Sequence, residues 1–218
     1  TLQLLSSLGD TLYELNNEGE LIPELASGMP TFSKDKLKIF VNLRKNVLFH
    51  DGTLFNSDAV KFTFDRFKRI GTMNYILGDK IKSIETPEEF KVIINLNKPS
   101  SSLNGILTAI NLTPISPTFY KEYSDKFLNN KFIGTGKYVL KRFSNEIQII
   151  DPNLNYWGEK PKNEGISFIG YSNSSSLFGA LKSKQIDVLL SNSIDDSQRN
   201  SLNNLSRKKQ FNEGNSPF

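Results

Sequence analysis

Leu37, Ile39, Val41 and Leu43 alternate with Lys38, Phe40, Asn42 and Arg44, a period of two that predicts a strand with one face in a core. Phe90, Val92, Ile94 and Leu96 repeat the pattern, and Thr86-Pro87-Glu88-Glu89 supplies a turn that folds Ile81 to Glu85 back on them as a hairpin. Between these strands the period changes. Val60, Phe64 and Phe67 fall at i, i+4 and i+7 with Ala59 and Thr63 beside them, which predicts a helix with one apolar face. Asn56 stands at its N-cap, Asp58 in its first turn, and Lys68, Arg69 and Gly71 at its end. Asp51-Gly52, ahead of the helix, is a turn dipeptide. Ser100 to Ser102 are placed to cap a shorter helix in which Leu103, Ile106, Leu107 and Ile110 share a face.

The second half reads as hairpin, strand, helix, strand. Tyr138 to Arg142 and Ile147 to Ile150 flank a turn at Ser144-Asn145, and Ile166 to Tyr171 runs into the serine-rich cap Ser172 to Ser176. A helix carrying Leu177, Phe178, Ala180 and Leu181 then leads to a strand over Ile186 to Leu190. Strand, crossover helix and strand in that order predict a parallel pair of α/β type. No internal repeat is visible, and the polar tail from Ser206 to Phe218 is expected to be loosely held.

Composition narrows the chemistry. At 218 residues the chain is long enough to bury a core as one domain or two small ones. It has no cysteine, which excludes disulfides, thiolate metal sites and cysteine nucleophiles. No apolar run reaches the ~20 residues of a membrane span. The net charge of +4 comes from cations scattered among acids, Arg207-Lys208-Lys209 being the one run of three. That pattern is a solvated surface and predicts no nucleic-acid partner.

Several motifs carry a family likeness. LRKNVLFHDGTLFNSDAVKFTFDRF, from Leu43 to Phe67, resembles the "LRxxVxFHDGxPxxAxDVxFxxxR" signature of the family 5 extracytoplasmic solute-binding proteins, the receptors of ABC importers for oligopeptides, dipeptides, nickel chelates and some sugars. Gly9 to Ala26 resembles the family's "YxxLVxxDxxGxIxPxLA", Ile133 to Phe143 its "VGTGPYxLxxW", Asp151 to Phe168 its "RNxxYWxxxPxxDxIxF", and LFGALKSKQIDVLL its "ALxxGEIDV". Three departures stand out. Lys137 replaces a proline, Asp151-Pro152 an Arg-Asn pair, and Lys184-Gln185 a Gly-Glu pair, the last removing an easy positive-φ position after a helix.

The resemblance implies an α/β, type II periplasmic-binding-protein-like fold: a first lobe with an inserted α+β subdomain, the second lobe missing from this chain. On that map residues 1–27 and 129–218 form the lobe core and 28–128 the insertion. It further implies a noncatalytic receptor for a small solute, peptide foremost, trapped by lobe closure and presented to an ABC transporter permease. Such a protein works in the periplasm or otherwise outside the cytoplasm, with room for a lipid anchor on a preceding segment. The alternative is a standalone interaction or sensory domain that reuses this lobe. No cofactor, metal or catalytic residue is expected.

His50 beside Asp51 suggests a dyad, but no nucleophile or further metal donors accompany the pair. Gly134 to Tyr138 lacks the Walker spacing and precedes a strand. Adjacent acids at Glu88-Glu89 and Asp195-Asp196 diverge and suit turns and caps. Tyr156-Trp157 is a possible stacking platform that the resemblance assigns to packing instead. Ligand contact is expected at the opening strand Asp10, Thr11, Leu12 and Tyr13, whose counterpart in peptide-binding relatives lends backbone groups to an extended ligand. Tyr75 and Asn111, on segments of the insertion that approach the cleft in relatives, complete the candidate set.

Overall fold

A computed structural model of the chain describes residues 2–70, 79–100, 103–123 and 130–207. Its elements begin with helix α1 (Leu2–Leu8) and strands β1 (Tyr13–Leu15), β2 (Leu21–Pro23), β3 (Thr31–Phe32) and β4 (Lys38–Asn42). Helix α2 (Ser57–Ile70), strands β5 (Ile81–Glu88) and β6 (Lys91–Leu96), helix α3 (Leu103–Leu107), a 3-10 turn (Ile110–Leu112) and helix α4 (Pro117–Glu122) follow. The rest is β7 (Tyr138–Phe143), β8 (Ile147–Pro152), β9 (Ile166–Ile169), α5 (Ser174–Lys182) and α6 (Asp196–Arg207). Three sheets result, with orders β1-β2, β3-β4-β6-β5 and β7-β8-β9. The two alternating segments therefore share one sheet, and Ile166 to Ile169 lies in another.

Two compact units divide the chain: Thr1–Ser144 with Gln148–Ser167, and Asn145–Ile147 with Phe168–Phe218. In the first, β4 pairs β6 antiparallel with Ile39 opposite Ile94 and Val41 opposite Val92. These side chains, with Leu43, Ile81 and Ile84, pack against Ala59, Val60 and Phe64 of α2 in the main core. Helix α2 starts where the cap was expected, since Asn56 Oδ1 accepts from the Asp58 and Ala59 amides at 3.1 and 3.3 Å. Phe67 is only half-buried, at the margin of the face. The helix ends at Ile70; Gly71, its expected stop, lies outside the described residues.

The β5/β6 hairpin differs from expectation in its turn. Strand β5 runs to Glu88, the register shifts between Glu85 and Glu88, and the turn is Glu89-Phe90. Pro87 has no N–H to give the ladder, and on an edge strand that defect is absorbed as a bulge. The later turn is held by what surrounds it. Glu89 O accepts from the Ser57 amide at the start of α2, and Phe90 O from the Leu43 amide, both at 2.8 Å.

Ile106 and Leu107 of α3 are buried, while Ile110 begins the separate 3-10 turn instead of continuing the helix. Ser101 and Ser102, expected to cap α3, lie outside the described residues.

In the second unit, Asn173 within the serine-rich stretch caps α5 by accepting from the Ser176 amide at 2.9 Å. The far end closes through Lys184 N–H to Leu181 O and Gln185 N–H to Ala180 O, with Lys184 at φ +59°. This is the left-handed cap that glycine usually fills. Residues 186–190, expected as a strand parallel to β9, form none. Val188 is 78% exposed, and no described strand pairs with the segment, so its backbone has no ladder to join. Asp195 caps α6 by accepting from the Gln198 amide and the Ser197 hydroxyl. Ser206 and Arg207, placed in the loose tail from sequence, are the last turn of that helix.

Candidate functional site

The α1–β1 junction is where the opening strand acquires its position. Gly134 and Gly136 lie against the backbone of Leu8 and Gly9, so close that a Cβ on either would come within 2.4 Å of Leu8 backbone atoms. Only glycine permits that approach. The Gly136 amide donates to Leu8 O at 3.1 Å, and Gly136 O accepts from Asn153 Nδ2 at 2.9 Å and from His50 Nε2 at 3.1 Å. A carbonyl only accepts, so Nε2 carries the proton, and Nδ1 is buried without a partner. Burial accordingly pushes the imidazole below its ordinary value. Asp51 points elsewhere, with Oδ1 taking the Thr53 amide and hydroxyl and Oδ2 the Ser116 hydroxyl. His50 and Asp51 are thus two scaffold clamps on different partners.

Between the two glycines, Thr135 reaches Asp10. Its hydroxyl donates to Asp10 Oδ2 at 2.8 Å, Trp157 Nε1 donates to the same oxygen at 2.8 Å, and the Tyr156 hydroxyl donates to Oδ1 at 3.1 Å. Asp10 is 4% exposed. Three donors satisfy a carboxylate that burial would otherwise penalise. Burial, reinforced by that carboxylate, pushes the Tyr156 phenol well above its ordinary value. Arg44 stacks its guanidinium 4.4 Å from the Trp157 ring centre and donates through Nε to Glu24 O at 3.0 Å. Glu24 Oε2 in turn accepts from the Thr11 amide at 2.6 Å.

The candidate residues sort as follows. Asp10 turns inward, Leu12 and Tyr13 are buried, and Tyr13 is 0% exposed with its hydroxyl donating to Gly28 O at 2.9 Å. Thr11 is half-buried. Strand β1 pairs only with β2 among the described residues, which leaves its other edge without a strand partner. Asn111 sits in the 3-10 turn and lines an open groove of about 330 Å³ with Leu5, Thr63, Arg66, Phe67 and Phe132. Of Asp10 to Tyr13, expected together as an opening strand, only Tyr13 lies in β1, and Asp10 to Leu12 form the bend that leads into it; none of them lines the groove, so Asn111 is not gathered with them. Tyr75 lies outside the described residues.

Sequence reasoning missed Glu24, Thr135 and the link from Tyr156-Trp157 to Asp10. The contacts of Thr135, Tyr156 and Trp157 with Asp10 span 125 to 147 positions, beyond any local pattern. A glutamate set between Pro23 and Leu25 was the available signal for the first. No group of three or more potential ligands suited to a metal occurs among the described residues, nor is any described helix long and apolar enough to cross a membrane.

Polar groups committed to aligning backbone make this junction a rigid part of a mixed α/β fold. The chain belongs to the family 5 bacterial extracellular solute-binding proteins: the family model described as "Bacterial extracellular solute-binding proteins, family 5 Middle" matches residues 20–217. The probable D,D-dipeptide-binding periplasmic protein DdpA of Escherichia coli K12 is 30% identical over 152 residues, covering 66% of this chain and 30% of that protein. Di/tripeptide-binding protein 4 of Pseudomonas aeruginosa is 29% identical over 182 residues, covering 68% of this chain and 32% of its own length.

Solved structures agree in fold. NikZ from Campylobacter jejuni in complex with Ni(L-His) matches with a TM-score of 0.79 at 28% identity, over 91% of this chain and 40% of that one. An ABC transporter substrate-binding protein from Sinorhizobium meliloti matches with a TM-score of 0.82, over 94% and 43%, at 20% identity. The chain thus spans about a third of the curated relatives' length and about two-fifths of the solved structures. These relatives are binding proteins, not enzymes.

Proposed function

We propose that this chain is the first-lobe portion of a solute receptor that captures a small ligand, most readily a peptide, outside the cytoplasmic membrane and presents it to an ABC transporter permease. The observation that carries the reading is the family match over residues 20–217, and the relatives' names favour peptide: D,D-dipeptide for one and di- or tripeptide for another. In this reading residues 1–27 and 129–218 form the lobe core and 28–128 an inserted subdomain. Tyr13 at the edge of β1 that has no strand partner adds an extended ligand through its backbone, the bend Asp10, Thr11 and Leu12 that leads into the strand flanks the same ligand, and Tyr75 and Asn111 approach it from the insertion. Asp10 acts through its three donors, which hold the strand, and not by touching the ligand with its side chain. A periplasmic or other extracytoplasmic setting follows from the same relatives, and anchoring through a preceding lipidated segment fits it.

Calorimetry tests the reading directly. Peptides, chelated metals and oligosaccharides are titrated into this chain and into a two-lobed protein that contains it. If closure of a second lobe supplies half the contacts, its absence costs about 4 kcal/mol or more, a weakening of about a thousandfold. Equal affinity in the two proteins overturns the two-lobe trap and favours a standalone binding or sensory domain.

A further inference from the structure

The Thr11 hydroxyl faces two oxygens with one proton. Its Oγ1 lies 2.6 Å from the Tyr13 carbonyl oxygen and 2.9 Å from Glu24 Oε2. A carbonyl accepts only, and an ionised carboxylate accepts only. With Glu24 charged, one of these contacts sets lone pair against lone pair at hydrogen-bond distance. A proton on Glu24 Oε2 removes the conflict. Oε2–H donates to Thr11 Oγ1, the Thr11 hydroxyl donates to Tyr13 O, and Oε2 still accepts the Thr11 amide at 2.6 Å.

The surroundings favour the same state. Asp10, which has three donors for its own oxygens, stands close enough to Glu24 to oppose a second negative charge, as does Glu14 on β1. Tyr156 faces the pair from beyond β8, and its own ionisation is opposed by both Asp10 and Glu24. Arg44 is the cation at hand, and its Nε is given to the Glu24 main-chain oxygen while its guanidinium plane lies over Trp157. Lys137 stands over the Tyr156 ring at 5.9 Å. The Thr11 amide and hydroxyl at Glu24 Oε2 act in the opposite sense, favouring the charged form, and burial with the Asp10 charge outweighs them.

We propose that Glu24 is a positioning residue that carries a proton in the folded protein at neutral pH, and that this neutral carboxyl holds Thr11, and with it strand β1, in the geometry that receives ligand. The part concerning ligand rests on the reading of Asp10 to Tyr13 given above; the proton and the strand do not. Burial, then the Asp10 charge, push the Glu24 carboxyl up to about 8, so its titration falls within ordinary working conditions. Raising the folded value above the unfolded one sets the sign. The contribution of Glu24 to stability is full below the unfolded value of 4.5 and is lost as pH rises towards about 8. Above that range an ionised Glu24 competes with the Tyr13 carbonyl for the one Thr11 hydroxyl proton, and the hold on β1 loosens.

The experiment uses the whole chain labelled with ¹³C at glutamate carboxyls, the Glu24 resonance being assigned through bonds from its backbone. Glu24 should titrate far above the other glutamates. Amide hydrogen exchange over Thr11 to Leu15 is then compared between wild type and Glu24→Gln, which keeps a donor but cannot ionise. The two should match at pH 6, and the wild type should exchange faster at pH 9. Titration of Glu24 together with the other glutamates overturns the proposal even if the variant does not fold. A high midpoint without any pH-dependent difference in exchange overturns the positioning role. Both outcomes are independent of the calorimetric test, so failure here and failure of the receptor reading are separately visible.

Discussion

Replacing Gly136 by Ala probes the junction that sets the opening strand. A Cβ there would sit 2.4 Å from Leu8 C, 2.5 Å from Gly9 N and 2.7 Å from Ser7 O. Carbon atoms in contact normally stay about 3.5 to 4.0 Å apart, so backbone must move by about an ångström, and none of the three neighbours is a flexible side-chain end. The movement opens the Gly136 amide bond to Leu8 O and strains the two bonds that His50 and Asn153 make to Gly136 O. Hydrogen bonds contribute about 0.5 to 1.5 kcal/mol each and overpacking costs about 1 to 3 kcal/mol. Together they give an expected loss of about 3 to 5 kcal/mol, a large part of the ~5 to 15 kcal/mol that holds an ordinary domain.

Urea unfolding followed by Trp157 fluorescence measures the loss. Trp157 is the only tryptophan, and its indole donates to Asp10 beside the perturbed segment. Gly105→Ala in α3 is the control, because a Cβ there meets nothing within 4 Å; it should gain about 0.5 to 1 kcal/mol. A Gly136→Ala loss below about 1 kcal/mol would refute the close backbone packing of this junction.

Phe64 is 2% exposed between α2 and the four-stranded sheet, and Phe64→Ala should destabilise by about 3 to 5 kcal/mol in the same assay. Its denaturant dependence should keep an unchanged slope. His50 is held neutral by burial, so the unfolded chain takes up a proton below its ordinary value of 6.5 that the folded chain refuses. Stability contributed by His50 should therefore be full above that pH and fall as pH drops through it. The gap between wild type and His50→Gln, measured at each pH, isolates this effect from the opposite drift due to Glu24. Lys184→Gly places glycine at φ +59° and should stabilise the second unit by about 1 kcal/mol, seen as slower exchange in α5; no gain would mean that the cap is not strained.

Local order was legible where a few consecutive residues decide it. The cap at Asn56 and the apolar face of α2 follow from side chains within one or two turns, and the β4 and β6 alternation needs only the period of a pleat. The same reading misplaced the β5/β6 turn. Thr86-Pro87 has turn chemistry, yet the start of α2 and Leu43 fix the carbonyls of Glu89 and Phe90, and those partners are remote in sequence. The strand predicted at 186–190 failed for a related reason: an apolar run becomes a strand only when another strand offers its ladder. At Lys184 a residue without glycine's freedom still takes the left-handed conformation, because two cap hydrogen bonds outweigh the modest cost of a left-handed lysine.

Sequence alone was enough for the family and for the elements with clear periodicity, β4 to β9 with α2 and α5 among them, because short motifs in a set order identify a fold without any geometry. Helices α1, α4 and α6 left no such signal, and the strand expected at 186–190 did not form. Which groups meet at the opening strand was decided by the tertiary structure. Thr135, Tyr156 and Trp157 lie more than a hundred residues from Asp10, and nothing in their local patterns distinguishes a free aromatic pair from two donors committed to one buried carboxylate. The charge state argued for Glu24 is more remote still, since it depends on how many protons the surrounding oxygens have to share. That count exists only once the chain has folded and water has been removed from around them.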